Sequence, residues 1–240
     1  MFSKTLLKSV ASAAAVGAAL TVAQLSAPAT ISASPEIQSV ACGDYPDTVT
    51  THTNLVLSHA GGQYGTPWTA TVRVSSTSSA KPSGTVNVDI WGTRYSYGMR
   101  LHNGTASRSM PSDLEAGHTY KVTASYSPQC DFKASGDTAR YTVKKAGSTA
   151  HVSVRDIHRG ARPTASIAVR STTRPTGKVK LTLVKNGDVR YRETASLKRG
   201  AVQVPCRNLH ETGDWTAKVV YLGTRNFKGD TARTTFTVKR

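Results

Sequence analysis

Cysteine, acidic side chains and aromatic residues are all scarce in this 240-residue sequence. It contains three cysteines, 14 acidic residues against 31 lysine and arginine residues, and 7% aromatic residues. An odd number of cysteines in an oxidising compartment allows one internal disulfide with one spare thiol, or none. Long helix-forming stretches are also missing, whereas threonine, serine and valine are plentiful. This composition favours β-strands over helices.

The apolar run ASAAAVGAALTVA near the amino terminus has the surroundings of an export signal. Two lysines precede it, and Ala27 and Ala29 follow it at the spacing that signal peptidase prefers. These three regions predict a secretory signal peptide over residues 1–29, with Ala23 as the alternative cleavage position. The run is shorter than a membrane anchor requires, and no later segment predicts a transmembrane span. We therefore expect a secreted protein that is extracellular or associated with the cell envelope.

The rest of the sequence contains one pattern twice. The segment KPSGTVNVDI at 81–90 returns as RPTGKVKLTL at 174–183, and residues 118–145 align without a gap with residues 213–240. The offset between the copies drifts between 93 and 97, which places insertions between strands, where loops tolerate them. A duplicated domain of roughly 100 residues explains this pattern.

Each copy reads as short alternating runs separated by turn residues. In the first copy these runs are 53–58, 69–75, 85–91, 105–110, 120–126 and 138–144. Alternation with period two indicates one buried and one solvated face, and such strands without intervening helices predict a sandwich of two sheets. The sequence therefore predicts an all-β chain with a signal peptide at 1–29, an extension at 30–50, and two tandem β-sandwich domains at 51–145 and 146–240.

The end of each copy resembles a known repeat. LEAGHTYKVTASY at 114–126 is similar to the ending of the bacterial Ig-like repeats of exported and surface proteins, and the second copy keeps VVYLGTRNF at 219–227 and TFTVK. The second copy departs from the repeat at LHETGDW, and the first copy departs from it at SPQCD. The resemblance runs from Thr51 to the last residue. It implies tandem immunoglobulin-like sandwiches of the kind that serve as spacers, stalks and adhesive modules.

Two cysteines are candidates for a disulfide. Cys42 lies just before the first predicted strand, and Cys130 lies in the turn between the last two strands of the first copy. In an Ig-like sandwich these two places lie at the same end, so we predict a Cys42–Cys130 disulfide. Closing the 87 intervening residues would contribute about 4–5 kcal/mol in the chain-entropy model. Cys206 would then be a free thiol, either buried and inert or available for a covalent dimer.

Catalytic and metal-binding patterns are missing from the sequence. The seven histidines show no ligand spacing such as HxH or HxxxH. No nucleophile elbow, glycine-rich phosphate loop or carboxylate pair is recognisable either. We therefore expect no enzymatic activity, no metal and no cofactor.

Positive charge is concentrated in the second copy. Residues 146–240 carry 19 basic and 6 acidic residues (19 − 6 = +13), whereas residues 42–145 carry 10 and 7 (10 − 7 = +3). Such asymmetry suggests an anionic partner, although a basic surface that serves solubility alone explains it equally well. If alternate residues of the third, sixth and seventh strands face inward, one solvent-exposed face collects Lys178, Lys180, Lys218, Arg233 and Lys239.

These observations predict a secreted, non-enzymatic Ig-like protein with a structural or adhesive role at the cell envelope or outside it. Its partner would be a protein or an anionic polymer. The alternative is binding of a polyanion (a wall polymer, a polysaccharide or a nucleic acid) through the basic face of the second copy. Aromatic side chains that could stack on bases are missing from that face, so specific nucleic-acid readout is not expected.

Overall fold

The computed structural model describes residues 49–129 and 131–240. Within these ranges the chain forms sixteen β-strands and no helix. The predicted signal peptide and nearly all of the N-terminal extension lie outside the described residues. Cys42 and Cys130 lie outside them as well, so the disulfide stays a prediction.

The first half of the described chain is a two-sheet sandwich. Its strands are β1 (Thr51–Leu57), β2 (Gly61–Gln63), β3 (Trp68–Ser76), β4 (Gly84–Ile90), β5 (Ser96–Arg100), β6 (Thr105–Met110), β7 (His118–Pro128) and β8 (Ser135–Lys144). One sheet has the order β1-β3-β6 and the other the order β2-β8-β7-β4-β5. All neighbouring strands are antiparallel except β2 and β8. This arrangement is that of an immunoglobulin-like sandwich.

The second half repeats the arrangement strand for strand. Its strands are β9 (Thr149–Val154), β10 (Ile157–His158), β11 (Thr164–Arg170), β12 (Lys178–Lys185), β13 (Asp188–Ser196), β14 (Ala201–Pro205), β15 (Gly213–Tyr221) and β16 (Asp230–Lys239). The sheets are β9-β11-β14 and β10-β16-β15-β12-β13. The prediction of an all-β chain with two tandem Ig-like sandwiches is confirmed.

Two strands of the first sandwich were not among the runs predicted from the sequence. All six runs predicted in the first copy overlap strands, but β2 and β5 have no counterpart among them. Both strands lie at a sheet edge, where one side lacks a neighbouring strand, and Met99 is the one buried residue of the two strands. Edge strands are therefore under weaker pressure to alternate apolar and polar residues than central strands.

Each sandwich has its own apolar core between its two sheets. Val86, Val88 and Ile90 of β4 are at most 1% exposed, as the alternation predicted. In the second sandwich, Leu181 and Leu183 of β12 occupy the corresponding places and are equally buried. The cores therefore depend on aliphatic side chains from facing sheets, without an antibody-type disulfide among the described residues.

A polar contact closes one corner of each sandwich. The Tyr120 hydroxyl donates to the Glu115 carbonyl at 3.1 Å, the arrangement known as a tyrosine corner. In the second sandwich Trp215 takes the equivalent position, and its indole Nε1 donates to the Glu211 carbonyl at 3.1 Å. The loop that precedes β7 or β15 is thus held by a hydrogen bond from a tyrosine in one sandwich and from a tryptophan in the other.

Candidate functional site

The five-stranded sheet of the second sandwich carries the basic face. The inward positions of β12 and β15 are filled by buried Val179, Leu181 and Val219. Lys178, Lys180 and Lys218 alternate with these residues and therefore point to solvent. On β16 the same argument places Arg233 and Lys239 outside, because Phe236 and Val238 are buried.

Strand register aligns three of the cations in a row across the sheet. Thr182 pairs with Arg192 on β13 and with Lys218 on β15, and Lys218 pairs with Arg233 on β16. The row crosses four adjacent strands, so its two ends, on β13 and β16, are three strand spacings or about 14 Å apart. We call Arg192, Lys218 and Arg233 the cationic row. Lys180 lies two residues before Thr182 on β12 and therefore on the same face of the sheet as the cationic row.

The cationic row lines a shallow cavity of about 580 Å³. Lys180 contributes a fourth positive charge to it, and Thr182 and Thr216 contribute hydroxyl groups. Val184, Val189 and Val220 provide apolar lining beside these groups. The cavity therefore combines charge, hydrogen-bonding groups and partly apolar walls on one open surface.

The cations around this cavity have no acidic partners among the described residues. Among the described residues, the basic members of ion pairs are His118, Arg190, Arg225 and Lys239. None of these ion pairs includes Lys180 or a residue of the cationic row. A cluster of unpaired cations produces a positive potential that attracts anions. Arginine and lysine can then hold phosphate or carboxylate oxygens by charge-assisted hydrogen bonds.

Lys239 differs from the other predicted members of the face. Its Nζ lies 3.3 Å from Asp156, which neutralises it. A hydrogen bond from the Thr237 backbone N–H, and then Lys239 itself, holds the pKa of Asp156 below its ordinary value. Lys239 also lies beside the start of β15, whereas Lys178 lies beside its end. The predicted set is therefore one cluster around Lys180, Lys218 and Arg233, with Lys178 near it and Lys239 remote from it.

Arg192 is a member of the cluster that sequence reasoning missed. It belongs to β13, an edge strand whose counterpart β5 was not among the runs predicted in the first copy. The alternation of Arg190 and Arg192 around Tyr191 was the available signal. A bulge in the pairing of β12 with β13, between Leu183 and Val184, obscures that signal in the sequence.

Cys206 is a buried thiol. Its side chain is 0% exposed, and its Sγ lies 3.6 Å from the Val204 carbonyl oxygen. Burial raises the pKa of this thiol. The position fits the expectation of an inert thiol and leaves no exposed sulfur for a covalent dimer.

Two further findings concern the described residues as a whole. They contain no group of three or more histidine, cysteine, aspartate or glutamate side chains arranged to hold a metal ion. They also contain no helix of the length and apolar character needed to cross a bilayer.

Comparison with known proteins gives similarity of structure only. No protein-family model matches the sequence, and no curated protein matches it. A tetra-tandem repeat from the extending region of a large adhesion protein is 14% identical, with 80% of this chain and 49% of that chain covered and a TM-score of 0.44. Two fibronectin type III domains of chicken tenascin are 12% identical, with 75% and 97% covered and a TM-score of 0.37.

Trypsin-activated α2-macroglobulin from Escherichia coli is also similar, at 13% identity and a TM-score of 0.35. The match covers 79% of this chain but only 18% of that one. The chain thus spans about half of the adhesion-protein structure and less than a fifth of the α2-macroglobulin. Similarity at this level describes β-sandwich architecture and carries no functional argument.

Proposed function

We propose that this protein is a secreted, non-enzymatic structural or adhesive module of the bacterial Ig-like repeat type. It would act at the cell envelope or outside it, with its two domains at residues 51–145 and 146–240. The observation that supports this role best is the bonded junction between the two sandwiches. A spacer or adhesive module needs such a junction, because it holds binding surfaces at a fixed separation.

The connection between the sandwiches is integrated into the second one. Ala146 is 0% exposed and belongs to the second core. Its N–H donates to the Asn226 carbonyl at 2.9 Å, and its own carbonyl accepts the Lys228 N–H at 2.9 Å. The linker is therefore bonded within two residues of the end of β8, unlike a free tether.

Residues of the first sandwich contact the same region. The Asn226 side chain accepts the Ala116 N–H at 3.0 Å, and the Tyr64 ring packs edge-on against Phe227 at 5.3 Å. The Tyr64 carbonyl also accepts the Thr172 hydroxyl at 2.7 Å. Backbone, side-chain and aromatic contacts at one place favour a pair of sandwiches that moves as one body.

Backbone ¹⁵N relaxation tests this junction. The mature protein should give one rotational correlation time for both sandwiches, and Tyr64→Ala combined with Asn226→Ala should give two. Leu222→Ala, which trims an exposed side chain (56%) in the second sandwich, is the control and should leave a single value. Independent tumbling of the unaltered protein would count against a rigid spacer. Intact mass of the exported protein, expected to begin at Thr30, tests secretion separately.

A second candidate function is binding of an anionic polymer to the cationic row. It is favoured by one specific observation, the four unpaired cations that line a single cavity. The polymer would be held by release of its counterions, with little dependence on its sequence or exact linkage. Such binding is compatible with the structural role, because it would attach the module to a wall polymer.

Salt-dependent retention on immobilised polyphosphate and on heparin tests the second candidate. Lys180→Gln with Lys218→Gln should lower the slope of log affinity against log salt by about 1.4–1.8, at 0.7–0.9 for each lost contact. Lys239→Gln is the control, since it makes the same lysine-to-glutamine change at one ion-paired residue and should change the slope little. Elution that does not depend on salt would exclude this function.

A further inference from the structure

An exposed tryptophan lies on the equivalent sheet of the first sandwich. Trp91 directly follows β4, and its side chain is 74% exposed, whereas Trp68 and Trp215 are each 2% exposed. An indole is the largest apolar side chain, and leaving it in water forgoes substantial burial energy. A single exposed apolar residue is common, so its significance depends on how it is held and on what surrounds it.

The turn that carries Trp91 is tightly bonded. The Trp91 N–H donates to the Lys121 carbonyl at 2.9 Å, which extends the pairing of β4 with β7 by one residue. The Thr93 hydroxyl donates to the Ile90 carbonyl at 2.7 Å, and the Tyr95 N–H donates to that hydroxyl at 3.1 Å. The backbone is thus ordered before any partner arrives, which lowers the entropic cost of binding.

Trp91 shares its face with a group of polar side chains. It continues the alternation of β4, because Ile90 is buried while Asp89 and Asn87 point the other way. Asp89 pairs with Ser96 on β5 and with Thr123 on β7. The outer face beside the indole therefore presents a carboxylate, an amide and hydroxyl groups, together with Lys121 opposite Trp91 on β7 and Arg140, which pairs with Lys121 on β8.

These polar groups are oriented by one another. The Asn87 Nδ2 donates to both carboxylate oxygens of Asp89, at 3.2 and 3.0 Å, and lies 3.2 Å from the Ser96 hydroxyl. Each group retains further hydrogen-bonding capacity toward solvent. Gly98, which pairs with Asn87, has open space where a side chain would be, so the surface beside the group is unobstructed.

We propose that this face binds a neutral β-1,4-linked polysaccharide of the cellulose or chitin type. Trp91 would stack on the apolar C–H face of one sugar ring, while Asn87, Asp89 and Ser96 hydrogen-bond the hydroxyl groups at the rim of the neighbouring ring. A pyranose with equatorial substituents has this division between apolar face and polar rim. Its extended chain also matches a flat sheet surface.

The surroundings of Trp91 favour a sugar over other partners. A protein-binding hot spot is usually surrounded by side chains that exclude water, whereas the neighbours of Trp91 on this face are polar or charged. Lys121 and Arg140 would attract an anion, but the carboxylate of Asp89 opposes it beside the indole, where the second sandwich has the hydroxyl of Thr182. The proposal is therefore independent of the cationic row and of the adhesive role proposed above.

The test is binding of the mature protein to insoluble cellulose and chitin, with fluorescence titration by cellohexaose and chitohexaose. Unaltered protein should bind at least one of these polymers and show a blue shift of tryptophan emission. Trp91→Ala should weaken binding about tenfold or more, and Trp91→Tyr should retain most of it. Asn87→Ala should weaken binding without changing the emission of the free protein.

Two controls make the outcome decisive. Leu222→Ala removes an exposed apolar side chain from the second sandwich and should bind as the unaltered protein does. Lys180→Gln with Lys218→Gln should also bind normally, although it weakens polyanion binding. The proposal is overturned if neither polymer retains the protein, if Trp91→Ala binds equally well, or if only the lysine substitutions abolish binding.

Discussion

The two sandwiches carry different side chains on the outer face of their equivalent five-stranded sheets. One row across four strands reads Ser96, Asp89, Thr123 and Thr138 in the first sandwich, and Arg192, Thr182, Lys218 and Arg233 in the second. The formal charge of the row changes from −1 to +3. On the two central strands of each sheet, the inward neighbours of these residues stay aliphatic in both copies. The fold therefore constrains alternate positions only, and the outward positions are free to acquire separate functions.

A second difference lies inside the sandwiches, at the end near the corner. Equivalent places hold Trp68, Met110 and Tyr120 in the first sandwich, and Pro163, Cys206 and Trp215 in the second. Trp68 stacks on Tyr141, which belongs to the facing sheet, with the ring centroids 4.0 Å apart. Trp215 stacks on Phe236, which belongs to the neighbouring strand of the same sheet, with the centroids 6.4 Å apart. The bulky indole has moved from one sheet to the other while the space between the sheets stays filled.

Truncation of either buried indole should give the largest effect. Trp68→Ala and Trp215→Ala should each lower the free energy of unfolding by about 3–5 kcal/mol, through lost burial and the cavity left behind. Urea titration followed by circular dichroism measures this loss. Trp91→Ala is the control and should stay within about 0.5 kcal/mol. A loss below about 1 kcal/mol for Trp68→Ala would contradict the exchange of volume between the sheets.

The second-largest effect should come from exchanging the residues of the cationic row for their counterparts in the first sandwich, and it should appear in polyanion binding. Arg192→Ser, Lys218→Thr and Arg233→Thr together give the second sandwich the hydroxyl residues that the first has at these places. The slope of log affinity against log salt on polyphosphate should fall by about 2–3, because three cationic contacts are lost. The reciprocal Thr123→Lys with Thr138→Arg should create salt-dependent retention by the first sandwich. If the exchanged protein keeps its slope, charge elsewhere in the sequence is responsible.

Alternation predicted the central strands and most of the basic face, but not the edges. Strands β4, β7, β12 and β15 have two neighbours each, and their buried residues alternate strictly. On β13 nearly every residue is exposed, so the pattern that would have revealed Arg192 is weak. The outward direction of Trp91 follows from the alternation of β4, whereas the pairing of Lys239 with Asp156 depends on the segment between β9 and β10. That ion pair leaves no periodic signal in the sequence.

Cys206 offers a smaller effect that sharpens the internal comparison. Its counterpart in the first sandwich is Met110, a larger apolar residue that is also buried. Cys206→Ser places a hydroxyl in this apolar site and should lower the free energy of unfolding by about 1–3 kcal/mol. Because burial raises the pKa of the thiol, alkylation by iodoacetamide at pH 8 should be slow until urea unfolds the protein. Rapid alkylation of the native protein would show that this end of the sandwich is open.

Asp156 should give the smallest effect, and it tests why Lys239 stands apart from the cationic row. The carboxylate accepts the Thr237 N–H at 2.8 Å and lies 3.3 Å from Lys239, and both interactions lower its pKa from 3.8. A lowered pKa means that the charged pair is complete above pH 3.8 and is lost only as the pH falls through the lower, folded-state value. Polyphosphate retention should therefore show no contribution from this pair between pH 7 and pH 5. Asp156→Asn should free Lys239 at neutral pH and raise the salt slope by at most about 0.9, a gain that must disappear when Lys239→Gln is added.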